Sequence, residues 1–164
     1  MAQVPGTNAW IEHFNNLIEE QCSEPWSLNF RYNIVNELDD RQRANGWKIY
    51  QTSAFGKFNC RCSNSWSSAR VNIIFHYRLK QQRGSVLLRP FRQQCRECTN
   101  PQWLKPQVNS TQMDQVLGRL IAKILKNCYK VPDVDDRDRF LKPRRTSPHE
   151  KDLCEACKLG ICSL

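Results

Sequence analysis

Cysteines are the residues of this chain with the clearest potential for chemistry. Six of the nine lie in three close pairs: Cys60-x-Cys62, Cys95-x-x-Cys98 and Cys154-x-x-Cys157. Two thiolates this close in sequence can face one metal ion at about 2.3 Å from each sulfur, which is how structural zinc sites are built. The competing interpretations are disulfides and buried or redox-active thiols. The odd number of cysteines argues against a fully paired disulfide framework.

The N-terminal sequence helps to decide between zinc ligands and disulfides. Its sequence, MAQVPGTNAWIEHFNN, lacks the basic region and the apolar region of a secretory signal. This predicts a reducing compartment, where clustered cysteines are more often zinc ligands than disulfides. No apolar run approaches the roughly 20 residues that span a bilayer, so we expect a soluble chain.

The cysteine pairs predict one or two structural Zn²⁺ ions. We divide the ligands provisionally into two tetrahedral sites, one of Cys60, Cys62, Cys95 and Cys98 and one of His149, Cys154, Cys157 and Cys162. In an alternative arrangement the tail pair completes the first site. Separately, the competing interpretation of His149 is a solvated loop histidine. A four-thiolate site leaves no position for water or substrate, so its expected role is to hold the fold together.

A long hairpin between Cys62 and Cys95 must bring the first four cysteines together. Apolar residues recur at every second position from Val71 to Leu79, and a return strand begins near Val86. We predict a turn at Gln81-Gln82-Arg83-Gly84, with the glycine supplying a positive φ. Folding about residues 82 and 83 places position 71 opposite position 94, so that Cys95 comes close to Cys60.

The remaining patterns predict an α+β fold. Apolar residues at helical spacing predict helices over 8–22 and over 110–128, the second capped by Ser110 or Thr111. Residues 25–38 are ambiguous, although Trp26, Leu28, Phe30 and Tyr32 alternate like a strand. Residues 39–46 are predicted to form a polar turn, and 47–58 to form strands with a break near Gly56. We therefore expect a twisted antiparallel sheet with an N-terminal helix and a packed C-terminal helix, stabilised by zinc. The predicted domains are a zinc-binding core over 1–130, a charged linker over 131–148 and a cysteine-rich segment over 149–164.

The formal charge of +9 suggests an acidic partner. Basic residues on the hairpin are candidates for binding RNA or a protein: Arg70, Arg78, Lys80, Arg83, Arg89 and Arg92. The aromatic residues between them, Phe75, Tyr77 and Phe91, are of the type that stacks single-stranded bases. The competing interpretation places these aromatic side chains in the core and leaves the arginines to solvate the outer face.

Catalytic motifs are missing from the sequence. It contains no Gly-rich phosphate loop, no H-E-x-x-H, no G-x-S-x-G and no zinc-deaminase pattern. His76 falls on a strand and is predicted to be a surface or interface histidine rather than a general base. We therefore expect a protein that is not an enzyme.

Taken in order, several stretches resemble the receptor-transporting protein family, whose defining domain is the 3CxxC-type zinc finger. The matching stretches are Gly46-Trp47-x-x-Tyr50-Gln51, Ala54-Phe55-Gly56-x-Phe58-x-Cys60, Ser65-Trp66-x-Ser68-Ala69-x-Val71, Phe75-His76, Gly84-Ser85-Val86, Arg89-x-Phe91-x-Gln93-x-Cys95-x-x-Cys98, Leu120-Ile121-x-x-Ile124-Leu125-Lys126-x-Cys128-Tyr129 and Cys154-Glu155-Ala156-Cys157-x-Leu159-Gly160-x-Cys162. The chain departs from the family at Cys60-x-Cys62, where members usually carry C-x-x-C. Members also commonly have a C-terminal membrane anchor, which this sequence does not show.

The resemblance implies a non-enzymatic zinc protein that helps G-protein-coupled receptors of the odorant, taste or opioid type to reach the cell surface. It implies a place at the cytosolic face of the ER, Golgi and plasma membranes, reached here through partners. An interferon-induced member of the family restricts RNA viruses and binds RNA, which gives the alternative function.

Overall fold

The computed structural model describes residues 7–132, 134 and 151–161. Their helices and strands, in chain order, are α1 (Thr7–Gln21), β1 (Trp26–Phe30), α2 (Asp40–Ala44), β2 (Lys48–Asn59), β3 (Ser65–Lys80), β4 (Arg83–Pro90), β5 (Gln93–Gln94), β6 (Trp103–Leu104), α3 (Ser110–Asn127), a 3₁₀ helix (Lys151–Leu153) and α4 (Glu155–Lys158). The division into domains stays a prediction, since most of the charged linker lies outside these residues.

One four-stranded sheet, in the order β1-β4-β3-β2, organises the molecule. Strands β2, β3 and β4 are antiparallel, as expected, whereas β1 runs parallel to β4. The parallel pairing arises because residues 31–47 carry the chain back along the sheet before β2 begins. The predicted break in β2 is confirmed as an irregularity in register between Ala54 and Gly56. The expected α+β class is confirmed.

The hairpin turn differs from the prediction. Its two central residues are Gln81 and Gln82, whose φ angles of 53° and 61° suit the tight turns that match the twist of a hairpin. The register pairs Lys80 with Arg83 and Ile73 with Pro90, so the predicted pairing of position 71 with position 94 is wrong by two residues. The positive φ expected at Gly84 occurs at the two glutamines instead.

Gly84 has a packing role rather than a turn role. It lies in β4, and a Cβ built there would be 1.9 Å from Cδ2 of Trp26 on the neighbouring strand. The missing side chain therefore makes room for the indole ring.

We expect Gly84→Ala to lower the free energy of unfolding by about 1–3 kcal/mol, because the tryptophan must shift to relieve overpacking. Urea denaturation measures this change. Gly118→Ala is the matched control: Gly118 lies on α3 with no atom within 4 Å of the added Cβ, so stability should stay equal or rise. Unchanged stability in Gly84→Ala would contradict this packing role.

Both long helices pack on one face of the sheet. The predicted helices are confirmed as α1 and α3, and their apolar stripes bury Trp10, Phe14, Ile18, Met113, Val116, Leu117, Leu120, Ile121 and Ile124. The cap of α3 is Asn109, whose side chain accepts a hydrogen bond from the Gln112 amide at 2.9 Å, rather than Ser110 or Thr111. The side chain of Phe75, on the central strand β3, is fully buried in this core.

Residues 31–38 and 151–161 cover part of the opposite face, which we call the second face. A smaller core forms there from Ile34, Ile74, Phe91, Cys154 and Ala156. The predicted polar turn over 39–46 is instead the short helix α2, whose start is fixed by a reciprocal capping box of Asp39 and Gln42.

His76, predicted to be a surface or interface histidine, lies beneath this covering, so the surface alternative is wrong. Only 2% of the residue is exposed, and Nε2 donates to the backbone oxygen of Val35 at 2.8 Å. Burial lowers the pKa of His76, against a smaller raising effect of this hydrogen bond. The side chain thus serves as a neutral donor that fastens residues 31–38 to the sheet.

Candidate metal centre

Four cysteine sulfurs converge at one end of the sheet. The Sγ atoms of Cys60, Cys62, Cys95 and Cys98 all lie within 4.8 Å of one another. The distance from Cys60 to Cys98 is 3.1 Å, and that from Cys62 to Cys95 is 3.6 Å. All four are free thiols. The structure thus brings together the four residues of the first predicted site.

Two short loops deliver these sulfurs. Cys60 and Cys62 lie in the connection between β2 and β3, where the Cys60 amide donates to the Asn64 oxygen at 2.9 Å and the Ser63 amide to the Cys60 oxygen at 3.1 Å. Ser63 has a φ of 71°, which allows this compact reversal. The shorter Cys-x-Cys spacing thus still directs both sulfurs to one point.

The second loop follows β5, which pairs with β6 and so closes the segment that carries Cys95 and Cys98. The indole nitrogen of Trp66 on β3 donates to Gln93 Oε1 at 2.9 Å. This hydrogen bond links the start of the second loop to β3, the strand that follows the first loop. Both loops are therefore anchored on the same central strand.

Cys95 is the ligand best prepared to be a thiolate. It is 1% exposed, and burial alone would raise its pKa. Its sulfur accepts hydrogen bonds from Asn64 Nδ2 at 3.3 Å and from the Glu97 amide at 3.4 Å. These bonds and those from neighbouring cysteines lower the pKa of Cys95 to about 6. In the same cluster, hydrogen bonding to Cys60 raises the pKa of Cys98, so a cation is needed before all four sulfurs can be charged together.

The arrangement fits zinc. Four sulfurs at about 2.3 Å from a tetrahedral ion are about 3.8 Å from one another, which is compatible with the spacing of this cluster. Amide groups that donate to a ligand sulfur are the expected outer support of such a site. A complete tetrathiolate shell leaves no open position, so the bound ion would join the two loops rather than activate a substrate.

Comparisons with known proteins also indicate a zinc-binding domain. The 3CxxC zinc-ribbon family, described as a zinc-binding domain, matches residues 53–160. Receptor-transporting protein 4 of Homo sapiens is 35% identical over 162 residues, which cover 93% of this chain and 63% of that protein. Receptor-transporting protein 2 of Mus musculus is 32% identical over 160 residues, covering 94% of this chain and 70% of that protein.

The chain belongs to the receptor-transporting protein family. It also matches receptor-transporting protein 3 of Mus musculus, with 34% identity over 96% of this chain but only 34% of that longer protein. The chain therefore spans between about a third and two thirds of the length of the first curated relatives it matches. No solved structure matches it.

The tail cysteines of this family member form a separate feature. Cys154 is buried, pairs its backbone with Gln93, and accepts a hydrogen bond at its sulfur from the Cys157 amide at 3.4 Å. Within the described residues, neither tail cysteine joins the cluster of four. His149 and Cys162 lie outside the described residues, so the second site stays a prediction.

The six predicted basic contact residues separate into two groups. Arg78, Lys80 and Arg83 lie near the hairpin turn, where Lys80 and Arg83 are exposed, and Arg70 lies half-buried on the half of β3 nearer the candidate metal centre. Arg89 is only 6% exposed, and both Arg89 and Arg92 bind Glu155 within the fold. We therefore do not retain these two arginines as partner contacts.

The aromatic residues of the hairpin lie in the interior. Phe75, Tyr77 and Phe91 are 0%, 1% and 2% exposed, as the competing interpretation predicted. Sequence reasoning missed the buried ion pairs of Glu155. The residue lies in the matching stretch Cys154-Glu155-Ala156-Cys157, but a glutamate between two tail cysteines carries no local signal of burial. Within the described part of the chain, no helix has the length and apolar character needed to cross a bilayer.

Proposed function

We propose that this chain is a non-enzymatic accessory protein that promotes delivery of G-protein-coupled receptors of the odorant, taste or opioid type to the cell surface. The observation that carries the proposal is similarity along nearly the whole chain to proteins named receptor-transporting proteins. Because this chain spans only about a third to two thirds of the length of the first curated relatives, the receptor-delivery activity of the complete relatives is a proposal here.

The candidate metal centre supports a binding role. A closed tetrathiolate site contributes folding free energy and no reactive position. It would fix the β2–β3 loop against the loop after β5 and keep the sheet rigid as a docking surface. A preformed surface binds with a smaller entropy cost than one that orders on contact.

We place this activity at the cytosolic face of the ER, Golgi and plasma membranes, where the chain would associate through its receptor partners. The four clustered thiols support this placement, because such thiols persist where glutathione and thioredoxin keep cysteines reduced.

We also propose that His149, Cys154, Cys157 and Cys162 hold a second zinc ion. The hydrogen bond from the Cys157 amide to the Cys154 sulfur supports this, because amide donors of this kind stabilise ligand thiolates.

The alternative of an antiviral RNA-binding factor remains a prediction without support from the structure. Sequence-tolerant binding of single strands uses aromatic side chains on which bases stack. The hairpin aromatics proposed for this purpose are buried in the two cores.

Receptor delivery is testable by flow cytometry in cells that co-express an opioid or odorant receptor carrying an extracellular epitope. We expect this chain to raise the surface fraction of the receptor at constant total receptor. Cys95→Ser should abolish the increase, because the candidate metal centre supports the docking surface. Cys22→Ser, at a half-buried cysteine outside the cluster, should keep the increase.

Immunoblots of the chain and of total receptor separate loss of activity from loss of protein. An unchanged surface fraction for odorant, taste and opioid receptors, at normal levels of the chain, would contradict the proposed function.

A further inference from the structure

The second face of the sheet is open near the hairpin turn. Side chains alternate across a strand, and Phe75 and Tyr77 face the helices, so Arg78 and Lys80 face the other way. Across the ladder, Arg78 pairs with Ser85 and Lys80 with Arg83. We call the surface formed by Trp47, Arg78, Lys80, Arg83 and Ser85 the tip patch.

Two of the tip-patch cations are held in place by their neighbours. The Arg78 guanidinium lies 4.5 Å from the centre of the Trp47 ring and donates to the Asn45 backbone oxygen at 3.3 Å. Lys80 Nζ donates to Asn45 Oδ1 at 3.0 Å. These contacts leave donor capacity on both cations, since a guanidinium carries five N–H groups and an ammonium three. Ordering before binding lowers the entropy cost of a new contact.

No carboxylate lies within the tip patch. Asp40 on nearby α2 is an acidic neighbour, and it pairs with Arg43 at 3.2 Å. The other residues that β1 and β4 present on this face near the turn are uncharged: Ser27, Asn29 and Leu87. The patch therefore presents three cations, and the contacts that hold Arg78 and Lys80 are a carbonyl, an aromatic ring and a neutral amide. It is complementary to an acidic surface.

We propose that the tip patch binds an acidic polypeptide segment with carboxylates at alternate positions. Residues two apart on a strand are separated by about 6.8 Å, so Arg78 and Lys80 match the spacing of alternate side chains in an extended peptide. Arg83 lies directly across from Lys80 and extends the cationic surface sideways. The flanking hydroxyl groups of Ser27 and Ser85 provide further polar contacts for such a segment.

The same surface is poorly suited to the other polyanions. Single-stranded RNA lacks an open aromatic platform here, because Arg78 covers Trp47 and the hairpin aromatics are buried. A membrane interface favours exposed apolar side chains beside the cations. The exposed large apolar residues of the described chain are Val35, Val131 and Leu159, and none of them belongs to the tip patch. An acidic protein segment is the occupant that these observations favour.

The identification of the acidic segment as a cytosolic part of a receptor rests on the proposed function. The binding of an acidic peptide to the tip patch does not depend on that function. The two are separable by experiment. Binding of the acidic peptide without receptor delivery would support the tip patch and count against the proposed function. Receptor delivery without peptide binding would support the proposed function and contradict the tip patch.

The test measures fluorescence anisotropy of a labelled peptide in which glutamate alternates with serine, using the full chain loaded with zinc. We expect binding that weakens as salt rises, and no binding of the matched peptide in which glutamine replaces glutamate. The double variant Lys80→Glu/Arg83→Glu should bind about tenfold more weakly, as expected when two exposed ion pairs become repulsive.

The matched control is Lys57→Glu/Lys105→Glu, which makes the same change in net charge at two exposed lysines outside the tip patch and should keep wild-type affinity. Equal loss in both double variants would show a general effect of net charge and overturn the proposal. Tighter binding of single-stranded RNA or of phosphatidylserine vesicles than of the acidic peptide would also overturn it.

NMR shifts in the wild-type protein provide a test without variants: the peptide should move the amide signals of Arg78, Lys80 and Arg83 rather than those of Lys57 and Lys105.

Discussion

Replacing Cys95 by serine should remove one zinc ion per chain and unfold the sheet at the metal end. Cys95 is the buried member of the cluster and the sulfur that accepts hydrogen bonds from Asn64 and Glu97. Zinc contributes about 10–16 kcal/mol to the folding of small zinc domains. The whole free energy of unfolding of a domain is usually only about 5–15 kcal/mol. Loss of this ion is therefore expected to be comparable in size with the whole free energy of unfolding, and the two loops that it joins should unfold first.

Metal content by mass spectrometry and thermal unfolding followed by circular dichroism check this result. Cys22→Ser is the control, with unchanged zinc and a melting temperature close to that of the wild type. Cys157→Ser, measured in parallel, tests the second site. Two ions in the wild type and in Cys22→Ser, and one ion each in Cys95→Ser and Cys157→Ser, would support both sites. A Cys95→Ser protein with full zinc content and a normal melting curve would contradict the candidate metal centre.

Glu155→Gln should lower the free energy of unfolding by about 3–5 kcal/mol, because it removes the partner of a buried charge. The carboxylate is 3.4 Å from Arg89 Nη2, and it accepts a hydrogen bond from Arg92 Nε at 3.1 Å. The side chains of Arg89 and Glu155 are only 7% and 9% exposed. Glutamine keeps the shape of the side chain but leaves Arg89 in the interior without a neutralising charge.

The control for this substitution is Glu97→Gln. Glu97 forms an exposed ion pair with Arg96 at 3.8 Å, and exposed pairs contribute about 0–1 kcal/mol. Urea unfolding of the zinc-loaded proteins compares the two variants. Similar stabilities for the two variants would show that the buried pair has no special role in holding residues 151–161 on the sheet.

The same pair predicts a pH dependence. Burial alone would raise the pKa of Glu155, but hydrogen bonds and charge from Arg92, with the charge of Arg89, lower it overall. A lowered folded pKa means that the carboxylate stabilises the fold above its unfolded pKa of about 4.3 and loses this effect as pH falls through the folded value. The stability difference between wild type and Glu155→Gln should be constant near neutral pH and shrink below pH about 4.

Local patterns in the sequence were sufficient to predict several parts of this protein. Helical spacing of apolar residues predicted α1 and α3, and alternation along 71–79 predicted the buried face of β3. The cysteine spacing predicted which four thiols meet, although Cys60-x-Cys62 is shorter than the usual pair. These features depend on short-range periodicity and on ligand chemistry, both of which are visible in the residues themselves.

The tertiary structure alone decided the rest, because the deciding contacts join residues far apart in the chain. Glu155 becomes a buried ion-pair partner only when the tail lies beside Arg89 and Arg92, and His76 is buried only because Val35 passes over it. The packing of Trp26 against Gly84 follows from the parallel pairing of β1 with β4, which alternation cannot distinguish from an antiparallel pairing. Sequence determined the periodic elements and the four cysteines that cluster, whereas long-range packing determined which charges were buried and which remained on the surface.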